Sequence, residues 1–470
     1  MFKNNTIAAI STAMSPSGIG IVRISGPDSF SIIRKIAKKK NGNDLFENKI
    51  ESHTVTHGYI VDSDIIVQEN KKNVSVIDEV LIIAMKGPKT YTGEDTIEIN
   101  CHGGVYVVQR VLETVLKYGA TIAEPGEFTK RAFLNGKMDL SRAESVIDLI
   151  NSTNEFAKDN AIKQLKGAVY EEIQSLRAEI LHEIAFIETA LDDPEHISLE
   201  GYPQELYKLV KKLTQRIQYI LDKSGDGQLL VEGIQTVIVG KPNAGKSSLW
   251  NALLGQDRAI VTDIAGTTRD VLSERISLSG ITLNMIDTAG IRDTEDVVER
   301  IGVNKSKEYV EKADLIIYLV DGSTPLDEND KEIIELIQNK KAIVLLNKTD
   351  LDVVVDKNKL QELSGRNVFE ISAKNQTGLD EVTSEIKDLF FHGQISFRDD
   401  VCITNMRQKE AMMSANESLK LVLGSIECGM PEDFFSIDMM NAYEALGSIT
   451  GETVGDDLVN EIFSKFCMGK

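Results

Sequence analysis

One stretch of eight residues constrains the fold of this chain more than any other. GKPNAGKS, Gly240 to Ser247, follows the apolar run Thr236–Val239 and precedes a helix expected near Ser248. The spacing GxxxxGKS in a strand–loop–helix context specifies a phosphate-binding loop. Glycines let backbone N–H groups point inward, the helix N-terminus adds positive potential, and Lys246 reaches the outer phosphates. The hydroxyl of Ser247 is the expected protein ligand to Mg2+. Such a loop needs a parallel sheet to carry it. Runs at Thr236–Val239, Ile281–Ile286, Leu315–Val320, Ala342–Leu346 and Val368–Ile371 each end in polar or glycine residues and alternate with helical segments. That pattern predicts an α/β unit whose mainly parallel sheet is covered on both faces.

Four more elements follow in order. AGTTRD (Ala265, Gly266, Thr267, Thr268, Arg269, Asp270) lies in the switch position, where Thr268 is the second expected ligand on Mg2+, and Thr262, Asp263 and Ile264 just before it are further candidate nucleotide contacts. DTAG (Asp287, Thr288, Ala289, Gly290) ends a strand; Asp287 is expected to hold the metal's water shell and the Gly290 N–H to meet the γ-phosphate. NKTD supplies base choice through Asn347, Lys348 and Asp350. The Asp350 carboxylate can accept two hydrogen bonds from guanine N1–H and its 2-amino group. Adenine offers neither donor, and an unpaired carboxylate discriminates by about 10⁴. SAK (Ser372, Ala373, Lys374) completes the base pocket. With Asn243, Ala244, Gly245, Lys246, Ser247 and Ser248 of the loop, these residues form the candidate nucleotide site of a magnesium-dependent G domain that hydrolyses guanosine triphosphate.

The hydrolytic machinery departs from the commonest pattern. Ile291 follows Gly290, where a glutamine would orient water, and an isoleucine cannot. Asn243 lies inside the phosphate loop, where its amide oxygen can ligate a monovalent cation in place of an arginine. Glu295, Asp296 and Glu299 follow the switch, and one of them can orient the attacking water. The plainer reading of the three is a solvated acidic helix start.

Around the G domain the texture changes. Residues 1–135 mix short β-like runs (Gly20–Ile24, Val80–Ala84, Ile97–Ile99) with glycine turns, as in a compact α+β domain. From Ser141 the pattern is helical: Leu176, Ile180, Ile184, Ile187 and Leu191 form one apolar stripe, Asp193-Pro194 breaks it, and another helix starts near Glu205. Helix-forming composition returns after about Asp400. The expected division is 1–135, 136–233, 234–395 and 396–470, a helical domain with the G domain inserted. Four scattered cysteines (Cys101, Cys402, Cys428, Cys467) without a CxxC pair, no apolar run of membrane-spanning length, and a start unlike a signal peptide fit a reduced, cytoplasmic, non-membrane setting. A net charge of −21 argues against tight non-specific nucleic-acid binding by the surface as a whole, leaving room for a local basic patch. A tRNA substrate would need a confined site or a more basic partner.

Five sequence blocks outside generic GTPase patterns, or extending them, resemble the MnmE (TrmE) family of tRNA-modification GTPases: VRISG (Val22–Gly26), YTGEDTIEINCHGG (Tyr91–Gly104), EPGEFTKRAFLNGKMDL (Glu124–Leu140), the G motifs, and FCMGK (Phe466–Lys470). The resemblance covers essentially the whole chain. It implies potassium-dependent dimerisation of G domains, with K+ held by Asn243, Thr262, Ile264 and Thr267. It makes Glu299, before Arg300-Ile301-Gly302, the catalytic residue. It implies that the N-terminal domain forms a homodimer and binds a tetrahydrofolate one-carbon derivative (5-formyl or 5,10-methylene) through Arg23, Glu98, Lys137 and Lys470. Lys or Arg suits the folate glutamate tail and a carboxylate suits the pterin donors. Cys467 matches a family position near that site and is either a substrate-handling thiol or a small buried hydrophobe. The resemblance further implies work on the wobble uridine of tRNA with a flavin-dependent partner, MnmG (GidA), in a heterotetramer or larger complex. Two departures stand out: SPSGIG (Ser15–Gly20) lacks the arginine usual after its first glycine, and Met468 replaces isoleucine or leucine. Two other readings share these motifs. A regulatory or ribosome-assembly GTPase would carry an RNA-binding module such as a KH domain, of which the sequence has no sign. A folate-dependent transferase with a merely regulatory G domain would work without nucleotide.

Overall fold

Alternating buried and half-exposed residues along Ile19–Ser25 set the architecture of the N-terminal part, because a strand with one apolar face must lie on helices with the other face open. The computed structural model describes residues 5–47, 50–62, 75–256, 274–278, 280–286, 309–391 and 402–469. Its chain divides into two units, one of Met1–Ile150, Gln164–His182 and Tyr443–Lys470, the other of Asn151–Lys163 and Glu183–Ala442.

In the first unit the elements run β1 (Ile7–Ile10), β2 (Ile19–Ser25), α1 (Ser29–Ile36), β3 (Ala37–Lys38), β4 (Thr54–Asp62), β5 (Ser75–Met85), β6 (Thr96–His102), α2 (Val105–Lys117), β7 (Thr121–Ile122), α3 (Glu127–Leu134) and α4 (Leu140–Asn151). Among the described residues the sheet order is β3-β4-β5-β6-β2-β1-β7, antiparallel except for β1 with β7. Val22, Ile24, Ile82, Ile97 and Ile99 point to one face and pack on Ile32, Ile33 and Ile36 of α1 and Val108, Val111 and Val115 of α2. Gly20 lets α2 approach, since a Cβ there would sit 2.3 Å from Val108 Cγ2. The opposite face carries Arg23, whose register partner on β6 is Glu98. A later helix, Asp456–Ser464, packs Val459 and Phe463, with Phe466 beyond it, on Leu140 and Ala143 of α4. Gly126, in the left-handed region at φ 68°, starts α3 where a Cβ would lie 2.5 Å from the Phe463 carbonyl.

In the second unit, α5 (Glu155–Lys166), α6 (Ala168–Asp192) and α7 (Tyr202–Glu232) lead into β8 (Ile234–Val239), α8 (Lys246–Gln256), β9 (Glu274–Leu278), β10 (Ile281–Met285), β11 (Leu315–Asp321), α9 (Glu328–Ile337), β12 (Ala342–Asn347), α10 (Lys357–Ser364), β13 (Val368–Glu370) and α11 (Leu379–Phe391), followed by α12 (Met406–Glu427) and α13 (Glu432–Thr450). Parts of α5, α6 and α13 belong to the first unit. The sheet order is β13-β12-β11-β8-β10-β9, parallel except at β9. β11 and β12 are buried along their whole length, as parallel strands covered on both faces must be. Helix α6 ends at Asp192, next to the predicted break. The apolar stripe holds through Ile187, but Leu191 is exposed and the neighbouring Ala190 takes the buried position. α7 packs against α12.

Helix α4 carries Glu144 and Asp148 one turn apart, Glu144 buried and Asp148 half-buried. Burial first, and the neighbouring Glu144 charge second, push the Asp148 carboxyl up to about 6. Its folded value lies above the unfolded one, so the folded state binds the extra proton and stability rises as pH falls from about 7 towards 4. Asp148→Asn is expected to raise the melting temperature at pH 7 by a few degrees, roughly 1 kcal/mol after allowance for solvent. At pH 4 the gain disappears. Calorimetric scans of both proteins across this range check it, and an unchanged difference at the two pH values would contradict the assignment.

Candidate functional site

The phosphate loop leaves β8 at Gly240, whose Cβ, if present, would lie 2.4 Å from the Leu319 carbonyl of β11. The loop turns through left-handed residues at Asn243 (φ 61°) and Gly245 (φ 99°), the first a residue type that tolerates that region and the second one that permits it freely. Lys246 begins α8, and its Nζ donates to the carbonyls of Gly240 and Lys241, both at 2.9 Å. Burial pushes its pKa down. Ser247, the next helix residue, is half-buried, while Asn243 and Ser248 are exposed.

The base-side residues come together from three loops. Asn347 ends β12 fully buried; its Nδ2 donates to the Ala244 carbonyl at 2.8 Å and its Oδ1 accepts from the Ala373 N–H at 3.0 Å. Lys348, left-handed at φ 65°, reaches Asp321 Oδ2 at 2.6 Å. Burial works against the Asp321 charge, but Lys348 and the Ser323 hydroxyl and N–H outweigh it and hold its pKa below the usual value. Asp350 accepts from the Ser372 hydroxyl at 2.7 Å, which, with Lys374 and Lys348 nearby, holds its carboxylate below the usual range. Ser372 Oγ also accepts from the Asn375 N–H at 3.2 Å, and Lys374 is exposed. The Lys348–Asp321 pair had no signal in the motif spacing, because Asp321 is a strand-end acid that belongs to none of the motifs.

Thr262, Asp263, Ile264, Ala265, Gly266, Thr267, Thr268, Asp287, Thr288, Ala289, Gly290, Ile291, Glu295, Asp296 and Glu299 lie outside the described residues. Of the expected Mg2+ and K+ ligands the structure therefore places Ser247 and Asn243. Both stand on the loop that carries Lys246, and a hydroxyl and an amide oxygen are the hard donors these cations take.

A second cluster occupies the open face of the first unit's sheet. Arg23 Nε and Nη2 meet Glu98 Oε1 at 2.9 and 2.8 Å, with both side chains mostly buried. The guanidinium lies 5.9 Å from the Tyr91 ring centroid and 5.6 Å from that of Phe128. Its Nη1 donates to the Gly469 carbonyl at 3.2 Å, and Ser11 Oγ donates to the same oxygen at 3.1 Å. A Cβ on Gly469 would fall 2.2 Å from the Ile10 carbonyl. Cys467 is exposed, and its carbonyl accepts from the Gly126 N–H at 3.4 Å. Lys137 donates to the Pro88 carbonyl at 2.9 Å, in the loop that also carries Tyr91. Lys470 lies outside the described residues. A cation, a carboxylate and two aromatic rings suit a ligand with a planar polar ring. Tyr91 and Phe128 stand in the sequence blocks quoted above, yet nothing in their spacing shows that they flank Arg23.

A family described as "GTP-binding protein TrmE N-terminus" matches residues 6–137, and one described as "MnmE helical domain" matches residues 140–467. A "tRNA modification GTPase MnmE" from Lachnoclostridium phytofermentans is 53% identical over 468 residues, with 100% of both chains covered. The chain belongs to the MnmE family of tRNA modification GTPases. Another relative with that name, from Alkaliphilus metalliredigens, is 45% identical over 471 residues, again with 100% of each covered. The solved FeoB G domain from Methanococcus jannaschii is 22% identical at a TM-score of 0.26, covering 34% of this chain and 97% of that one. This MnmE-family chain is thus a GTP-binding hydrolase of tRNA modification, and among the described residues no helix is long and apolar enough to cross a membrane.

The Asp350 geometry generates a specificity test. Asp350→Asn exchanges one of the two carboxylate acceptors for a donor, so one of the two guanine donors expected there loses its partner while a C2 carbonyl gains one. GTP binding is expected to fall by about 10² or more. Xanthosine triphosphate, which carries that carbonyl, is expected to bind better than it does to the unaltered protein, and titration with both nucleotides checks it.

Proposed function

We propose that this chain binds and hydrolyses GTP at Gly240–Ser247, and that the hydrolysis drives installation of an aminomethyl or carboxymethylaminomethyl group on C5 of the wobble uridine of certain tRNAs. The observation that carries this reading is the base pocket: Asn347, Lys348 and Asp350 are each already held by a partner, from Ala244 and Ala373, Asp321, and Ser372. A pocket pre-organised in this way binds guanine without a further ordering cost.

The roles divide by chemistry. Lys246, with the loop N–H groups, takes the outer phosphates. Lys348 and Asp350 take the base, with Ser372, Ala373 and Lys374 closing its edge. Ser247 and Thr268 would hold Mg2+, which when bound neutralises charge on the phosphate oxygens. Asn243, Thr262, Ile264 and Thr267 would hold K+, in the position an arginine takes elsewhere, and the potassium-dependent G-domain dimer forms across the nucleotide. Thr262–Thr268 and Asp287–Gly290 form the nucleotide-sensing segments, and Glu299 orients the attacking water.

In the N-terminal domain, which we propose spans 1–135 and forms the homodimer, Glu98 accepts the donors of a tetrahydrofolate derivative's pterin edge. Arg23, Lys137 and Lys470 serve its carboxylates, and Cys467 stands beside it as a substrate-handling candidate. Support comes from the Arg23–Glu98 pair between Tyr91 and Phe128. The helical segments 136–233 and 396–470 carry the G domain at 234–395. A flavin-dependent partner of the MnmG (GidA) kind completes the modifying complex and, given this chain's net charge of −21, supplies most of the tRNA contact. The setting is cytoplasmic.

The test is GTP turnover in potassium against sodium at equal ionic strength, for the unaltered protein, Asn243→Ala and Glu299→Ala. Potassium is expected to stimulate turnover on the order of tenfold or more, and Asn243→Ala to abolish the stimulation. Glu299→Ala is expected to lower kcat by about 10²–10⁴ with little change in KM. Equal rates in both salts would sink the cation mechanism while leaving GTP hydrolysis itself standing.

A further inference from the structure

The second residue of the phosphate loop has a cationic side chain that never turns towards the cradle. Lys241 Nζ lies 2.7 Å from Asp330 Oδ2 and 3.2 Å from Asp327 Oδ2, and approaches the Pro325 carbonyl at 3.5 Å. All three stand at the start of α9. Asp327 is the N-cap of that helix and Asp330 its third residue, joined in a reciprocal capping box. Asp330 is 1% exposed, an unusual place for a carboxylate. Its Oδ1 accepts from the hydroxyl of the fully buried Tyr318 at 2.8 Å, and its Oδ2 also accepts from the Asp327 N–H at 2.8 Å. A helix cap needs neither the tyrosine nor the lysine. The additional partners make Asp330 a fixed post between β11 and the phosphate loop.

The backbone of Lys241 faces the other way. Its carbonyl accepts from Lys246 Nζ at 2.9 Å and from the Ala244 N–H at 3.3 Å. One residue therefore joins the helix α9 cap on its side-chain side to the phosphate-binding lysine on its carbonyl side. Leu319 behind Gly240 and Asn347 under Ala244 hold the start and middle of the loop. Lys246 Nζ also holds the Gly240 carbonyl at 2.9 Å, and Lys241 adds a lateral hold on the same peptide by reaching to α9.

We propose that Lys241 is a positioning residue for the nucleotide, tethering the leading edge of the phosphate loop to Asp330 and Asp327 so that the cradle is set before phosphate arrives. This rests on the reading of Gly240–Ser247 as the phosphate cradle. An untethered loop must order on binding, so nucleotide affinity falls for GDP and GTP alike, while the hydrolytic step, carried by other residues, is unchanged.

The experiment measures equilibrium binding of fluorescent GDP and of a non-hydrolysable GTP analogue, with kcat at saturating GTP, for Lys241→Met and Lys241→Arg. Lys241→Met leaves the buried Asp330 charge without its partner, so the double variant Lys241→Met/Asp330→Asn, which removes both charges, is run beside it. The expected result is about tenfold weaker binding of both nucleotides in the methionine variants, with kcat at saturation within about twofold. Lys241→Arg, which keeps the ion pair, restores most of the affinity. Unaltered affinity in the double variant, or a loss of kcat at saturation without a loss of affinity, would overturn the proposal. Lys246→Ala is the control on the underlying reading: if it binds nucleotide normally, the cradle assignment fails, whereas weak binding there with normal Lys241 variants refutes the tether alone.

Discussion

The nucleotide half of this molecule depends on one buried amide. Asn347 hydrogen-bonds to the Ala244 carbonyl with one end and to the Ala373 N–H with the other, joining a phosphate loop and a base loop that are far apart in sequence. Its exposure is 1%, so each of these bonds exists where a lost partner would cost the full desolvation of the orphaned group. The fit is close enough that a Cβ on Gly245 would sit 2.3 Å from Asn347 Nδ2. That glycine, at φ 99°, is required twice over, by the turn and by the asparagine beneath it. With Asn347 fixed, the adjoining Lys348 and Asp350 emerge at set angles, and their counterparts Asp321 and Ser372 need supply only short contacts.

Much of this was readable from residues alone, and the reason is physical. Fully buried parallel strands leave near-continuous apolar runs, so β11 and β12 stand out in the sequence, and the phosphate loop is a backbone structure whose glycines are obligatory. Strands with one open face leave a weaker mark. β4 reads Thr-Val-Thr-His-Gly-Tyr and alternates without an apolar run until Tyr59-Ile60-Val61, and β1, four residues long, gives no periodicity to find. Leu191 shows the converse failure: its spacing fits the stripe of α6, but near the helix end the buried position is filled by Ala190. At the site, residues within one motif were legible, whereas pairs such as Lys348–Asp321 and Arg23–Glu98 are products of strand order and register that no short spacing encodes.

The two clusters also differ in how they hold charge. Around the proposed base pocket, Lys348 and Asp321 pair at a strand end, and Asp350 remains exposed. On the first unit's sheet, Arg23 and Glu98 are mostly withdrawn from water and satisfied by each other, by Gly469 and by two rings. Removing either partner there would strand a charge in a poorly solvated place, so the pair resists piecemeal change more than the nucleotide residues do.

The hydrogen bond from Arg23 to the Gly469 carbonyl closes a span of 446 residues. On a ribosome that adds residues in order, Arg23 and Glu98 emerge with their sheet long before the segment that completes their surroundings. Domains generally fold in the order in which they are made, N-terminal first. This cluster runs against that order: its strands emerge early, yet its partner Gly469 follows Arg23 by 446 residues. A side chain at position 469 would run into the backbone of Ile10 and Ser11, so this late-arriving partner can dock only as a glycine.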